Sequence, residues 1–163
     1  MSIKYVKGDA VQALVDGEVD YLLHCCNCQN NFGSGIARQV REMLPHAYEA
    51  DCKAVMDGTN KLGNVIPSKG VLNLYGQEYY GYVGDYYKKH KRQGNYGAIV
   101  KGFNLISSVL PTITEVRGRK PVIAMPYKFA SDRAGCDWNV IEELIEWLLV
   151  PEFDIVIYHL GDL

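Results

Sequence analysis

The sequence has no long apolar run. No window approaches the ~18–20 apolar residues of a membrane-spanning helix, and the N-terminal MSIKYVKGDA lacks the apolar core of a secretory leader. A cytoplasmic protein with no membrane partner is therefore expected. An excess of one charge is also missing: 17 basic and 19 acidic residues give a formal net charge of −2. That balance offers no reason to expect a general nucleic-acid or membrane-surface binder. Internal repeats, low-complexity tracts and a linker are absent too, so the expectation is one domain over residues 1–163 and a monomer. A chain of this size buries a full core without disulfides or a structural metal. The five cysteines, an odd number, are expected to stay reduced.

A second ligand pair for a metal is lacking as well. Cys25 and Cys28 have C-x-x-C spacing, with His24 and Cys26 beside them. Cys52, Cys136, His46, His90 and His159 are isolated, whereas a structural zinc site usually needs two pairs. Strand alternation also sends Cys25 and Cys26 to opposite faces. A redox C-x-x-C would normally open a helix, but Asn27–Asn31 reads as a loop. Neither a metal nor a cofactor is expected, and Cys25 and Cys26 read as small apolar packers.

What is present is an alternation of strands and helices. IKYVK reads as a first strand, and Asp9 stands where an N-cap of AVQALV would be. VDYLLHCC, GVLNLYG, PVIAMP and FDIVIYHL read as further strands. GIARQVREML, PHAYEADCKAVMDG (closed by Gly58), GAIVKGFNLISSVL and DWNVIEELIEWLLV read as helices. Residues 76–96, rich in Tyr, Gly and Lys, show no clean period and are expected to be a long loop or a small hairpin insertion. Apolar strands alternating with helices predict an α/β fold with a mixed, mostly parallel sheet and helices on both faces. Ligands of such sheets bind at the carboxyl ends of the strands. Two strand ends carry the informative residues: HCCN leading to Gly33-Ser34-Gly35, and AMPYKFASDRAG leading to Asp137-Trp138. Glycines before a helix allow backbone N–H groups to approach an oxyanion.

The pattern GDA…HCCNCQNNFGSGIA, with IAMPYKFASDRAGCDW later, resembles the macro domain, a three-layer α/β/α fold that binds ADP-ribose. The first block is similar to that family's N-A-A-N-like strand end and G-G-G-V-A-like turn. The second is similar to its P-x-x-I-G-x-G-x-A-G-G-D-W loop. The branch most resembled holds the ADP-ribose 1″-phosphate phosphatases and related deglycosylases. Two deglycosylase patterns are absent: Ala37 stands where one branch has Asp, and VLNLYGQ contains no Lys. The resemblance implies hydrolysis of ADP-ribose 1″-phosphate to ADP-ribose and phosphate, or a non-catalytic module that binds ADP-ribose or a related nucleotide.

It also implies residue roles. His24 would activate water or protonate the leaving oxygen, with Asp137 as its acid–base partner and Asn27 orienting the distal ribose. Asp9 would read the adenine amino group, Ala10 would line that pocket, and Tyr158 would lie against the ring. Gly33, Ser34 and Gly35 would cradle the diphosphate or the distal phosphate, with Ile36 and, in the second loop, Ala130, Ser131, Asp132 and Gly135 as further ligand contacts. Simpler roles stand beside these: N-caps for Asp9 and Asp137, a buried hydrogen-bonded His24, an Asx turn at Asn27, a packed Tyr158. Ala130 and Asp132 replace family glycines, and Asp132 places negative charge near a phosphate unless Lys128 or Arg133 pairs with it. The YYKKHKRQ stretch could stack on single-stranded nucleic acid, though it is more simply a solvated turn or a lid.

Overall fold

The computed structural model describes residues 3–56, 60–110 and 118–163; Gly58 lies outside them. The elements in chain order are β1 (Ile3–Lys7), α1 (Ala10–Val15), β2 (Tyr21–Asn27), α2 (Gly35–Met43) and α3 (Pro45–Met56). Then come β3 (Val65–Ser68), β4 (Val71–Gln77), α4 (Asp85–His90), α5 (Tyr96–Val109), β5 (Val122–Pro126), α6 (Trp138–Leu148) and β6 (Asp154–His159). The strands form one six-stranded sheet in the order β1-β6-β5-β2-β4-β3. All neighbours are parallel except β3 and β4.

Alternation along β2 builds the three layers. Leu23 and Cys25 join the core under α5 and α6, with Ile99, Phe103, Ile141 and Ile145. Leu22 and Cys26 join the core under α1, α2 and α3, with Val11, Val40 and Ala47. Gly102 lets α5 lie directly on β4, since a Cβ there would stand 2.5 Å from Leu74 Cδ1. Polar side chains start three helices: Asp9 accepts from Val11 N–H at 2.9 Å, Asn95 from Ala98 N–H at 3.0 Å, and Asp137 from Asn139 N–H at 2.9 Å.

Two elements depart from the sequence reading. β3 is unanticipated; it is four residues long, holds Pro67, and lies on the sheet edge, where a missing N–H is tolerated. Within 76–96, expected to be a long loop or a small hairpin, the chain forms no hairpin: the loop carries the short helix α4. Basic Lys88, Lys89 and His90 in its last turn complement the helix dipole, and Lys91 closes it in the left-handed region at φ 60°. Six residues among several glycines are too few to show a period. Among the described residues no helix is long and apolar enough to cross a membrane.

Candidate ligand-binding cleft

The sheet opens between β2 and β5. Their register holds only for Tyr21↔Ile123 and Leu22↔Ala124, whereas β2 stays paired with β4 out to Asn27↔Gln77. This is the topological switch point: the chain leaves β2 toward β4 and leaves β5 toward β6. A cleft of about 1150 Å³ occupies it, lined at the strand ends by Gly8, Asn27, Gln77, Pro126 and Tyr158. Crossing from β1 to β4 covers four strand spacings, roughly 19 Å.

Most of the expected ligand contacts come together here. Asp9, Ala10, Asn27, Ser34, Gly35, Ile36, Ala130, Asp132, Gly135 and Tyr158 all line the cleft. Asp9 caps α1 through its Oδ1 and also lines the cavity. Tyr158 packs its ring on Gly8, where a Cβ would lie 3.3 Å from Cδ1. Asn27 forms the Asx turn: Oδ1 accepts from Gln29 N–H at 2.9 Å and Nδ2 donates to Asn31 O at 3.0 Å. Gly35 takes a left-handed φ of 60° at the start of α2, and Ser34 makes no capping bond with its side chain.

Four residues fall outside the expected arrangement. Gly33 does not line the cavity, and its N–H is already given to Asn31 Oδ1 at 2.8 Å. Ser131 turns its hydroxyl to Phe129 O at 3.3 Å. Asp137 caps α6 away from the cavity wall. His24 is the largest correction. Alternation places it on the α2–α3 side of the sheet, fully buried, edge-on to Phe32, with Nε2–H donated to Asn73 Oδ1 at 2.6 Å. Burial pushes its pKa down to about 4, so at neutral pH it is uncharged. The three residues expected to act as a catalytic group are therefore not assembled; Asn27 alone of them reaches the cleft. The clue lay in β4, where Asn73 interrupts an apolar strand opposite His24.

The second loop holds two non-glycine residues in the left-handed region. Ala130 holds φ 59° and Lys128 φ 62°. Each left-handed L-residue costs roughly 1–2 kcal/mol, strain of the kind found at ligand sites. Cys136, also in place of a glycine, fills the space over Gly94, where a Cβ would come within 2.3 Å of its Sγ. Asp132 has no ion pair among the described residues. Lys128 is exposed and lines the cavity, so Lys128→Gly should separate strain from binding. The expected result is a gain of about 1 kcal/mol in chemical unfolding, together with weaker binding of an anionic ligand.

The 76–96 stretch forms one wall of the cleft. Tyr80, Tyr82, Tyr87, Lys91 and Arg92 line the cavity, as do Lys128 and Arg133 of the second loop. Arg92 is held in place: Nε donates to Gly94 O at 2.9 Å, and the guanidinium lies 4.4 Å from the Tyr96 ring centroid. Gln39, Asn31 and His159 also line the cavity and were not anticipated. Gln39 stands four residues after Gly35, on the same helix face as the turn, a spacing that could have flagged it. The thiols suit packing. Burial pushes Cys25 and Cys28 up to about 12 and Cys136 up to about 11, leaving them protonated at neutral pH. No cluster of three or more metal-ligating side chains occurs among the described residues.

No family model matches the chain. The 17.5 kDa protein of the tk-vs intergenic region of Enterobacteria phage T4, described as uncharacterized, is 30% identical over 149 residues, 90% of this chain and 89% of that protein. The chain belongs to the family of that phage protein. Its fold is the macrodomain fold. A macrodomain protein from Streptomyces coelicolor superposes with a TM-score of 0.69 at 23% identity, covering 98% of this chain and 99% of that one. Thermosipho africanus DarTG, solved in complex with ADP-ribose, matches with a TM-score of 0.72 at 17% identity, over 97% of this chain and 41% of its own. In this macrodomain the strand ends, the α2 turn and the second loop surround a single cavity.

Proposed function

We propose that the cleft binds ADP-ribose or a closely related nucleotide diphosphate, and that the chain acts as a binding module. The observation that carries this reading is the distribution of chemistry along the carboxyl edge of the sheet. The acceptor carboxylate of Asp9 and the ring of Tyr158 stand at the β1–β6 end, suited to a base. Lys91, Arg92, Lys128 and Arg133 supply positive charge elsewhere on the wall, suited to a diphosphate. The first turn of α2 adds backbone N–H groups at Ile36 and Ala37. The ADP-ribose complex of the Thermosipho protein is consistent with this choice.

Hydrolysis of ADP-ribose 1″-phosphate is the second reading, favoured by Asn27 and by Asp132, an acidic side chain at the cavity. The buried, neutral His24 weighs against it. Phosphorus NMR of ADP-ribose 1″-phosphate with the protein, without added metal, separates the two. Ligand signals that shift or broaden with no inorganic phosphate are expected. Growth of a phosphate signal would establish the phosphatase, and an unchanged spectrum would remove both.

Arg92 gives a further expectation. A preset, charged donor contributes about 1.5–3 kcal/mol, so Arg92→Ala should weaken ADP-ribose binding roughly 10- to 100-fold by calorimetry. Arg92→Lys should not restore it, because the fork and the stacking are lost together.

A further inference from the structure

The two oxygens of Asp9 are divided. Oδ1 accepts from Val11 N–H at 2.9 Å and Gln12 N–H at 3.2 Å. Oδ2 accepts from Gln39 Nε2 at 2.5 Å. A carboxylate offers only lone pairs, so the partner chemistry fixes which way the Gln39 amide faces: nitrogen toward Asp9. The other Nε2 hydrogen has Met43 Sδ at 3.6 Å. Gln39 Oε1 has no hydrogen-bond partner among the described residues, and the side chain lines the cleft. Two acceptors thus stand together at the cleft wall: the spare lone pair of Asp9 Oδ2 and the free Oε1 of Gln39.

We propose that Gln39 is a specificity-determining residue, the second half of a reader for the exocyclic amino group of a 6-aminopurine. This deepens the function proposed above and rests on it. The amino group has two hydrogens and no accessible lone pair. Asp9 Oδ2 takes one and Gln39 Oε1 the other. The bond between Gln39 and Asp9 fixes the spacing of the two acceptors before the ligand arrives, so little side-chain freedom is lost on binding. A 6-oxopurine turns a carbonyl oxygen toward the same pair. Acceptor then meets acceptor, and the polar groups are left unsatisfied as water is displaced. Swapping the roles would require the Gln39 amide to turn its oxygen onto the Asp9 carboxylate, which is repulsive. The site therefore selects adenine against hypoxanthine and guanine.

Calorimetric titration of ADP-ribose and of its 6-oxo counterpart, inosine diphosphate ribose, tests this in the native protein and in Gln39→Met. Methionine keeps the length of the side chain and removes both the carbonyl oxygen and the amino group of the amide. An unchanged thermal midpoint shows that the variant is folded. The native protein should prefer ADP-ribose by at least tenfold. Gln39→Met should lose about tenfold of that preference, mainly through weaker binding of ADP-ribose. An undiminished preference in Gln39→Met overturns the role of Gln39 while leaving the proposed function standing. Tighter binding of ADP-ribose by the variant also overturns it, because Gln39 would then be only a competitor for Asp9. Failure of the native protein to bind either nucleotide removes the proposed function and this inference together.

Discussion

Replacing Asp51 with alanine should destabilise the protein by about 3–5 kcal/mol, the cost of leaving a buried charge without its partner. For a chain of 163 residues that corresponds to a fall of about 10 °C in the thermal midpoint. Asp51 and Lys61 are buried on the α3 side of the sheet, with Lys61 Nζ 2.7 Å from Asp51 Oδ1. The Tyr75 hydroxyl donates to the same oxygen at 2.5 Å, and Asn30 Nδ2 donates to Oδ2 at 2.6 Å. Removing the carboxylate strands an ammonium, a hydroxyl and an amide at once. Asn30 belongs to the loop between β2 and α2 and holds a left-handed φ of 54°. The same substitution should therefore loosen a wall of the cleft, lowering ligand affinity along with stability. Asp51→Leu combined with Lys61→Met should recover the part of the loss due to the stranded ammonium, but not the part due to the Tyr75 hydroxyl and the Asn30 amide, which stay without an acceptor. Denaturant unfolding of the single and double variants checks this directly.

The second large effect is a dependence on acid. His24 has a folded-state pKa of about 4, against an ordinary value of 6.5, because burial disfavours its cation. Between those two pH values the unfolded chain binds the proton and the folded chain does not, so stability rises with pH through the window. The contribution is complete above about pH 6.5 and is lost as pH falls to about 4. At about 1.4 kcal/mol per pH unit, the gap between 6.5 and 4 amounts to roughly 3 kcal/mol. His46 is also lowered, chiefly by burial, and acts in the same direction. A variant is thus needed to isolate His24. His24→Gln should be less stable at pH 7, yet lose most of the fall between pH 6.5 and 4. A profile parallel to that of the native protein would show that His24 does not titrate in this way.

How far the sequence disclosed these features follows from which interactions are local. The strand–helix alternation, the N-caps at Asp9 and Asp137 and the glycine turn before α2 each depend on a few neighbouring residues, and all were legible. The resemblance to macro domains drew attention to two loops that both contribute lining residues to the cavity. β3 was hidden because four residues with a proline form a strand only once β4 lies beside them. The position of His24 was hidden for a similar reason. Its place at a strand end suggested a ligand, but the side of the sheet to which it points, and its bond to Asn73 on the neighbouring strand, are set by tertiary pairing. The cationic wall of Lys91 and Arg92 was visible as composition. Its place at the cavity depends on the segment folding back against the second loop, where Gln93 and Gly94 N–H groups bond Ala134 O at 3.1 and 2.8 Å.

A nucleotide diphosphate bound in the cleft would occupy the opening between β2 and β5. Amide chemical-shift mapping of the ¹⁵N-labelled protein during titration with ADP-ribose tests it most directly. The largest saturable shifts are expected at Asp9, Asn27, Ile36, Arg92, Ala130 and Tyr158, with the β3 edge and the exposed face of α5 around Val100, Asn104 and Ser108 unmoved. Shifts confined to those distant residues, or no shift at millimolar ADP-ribose, would contradict it.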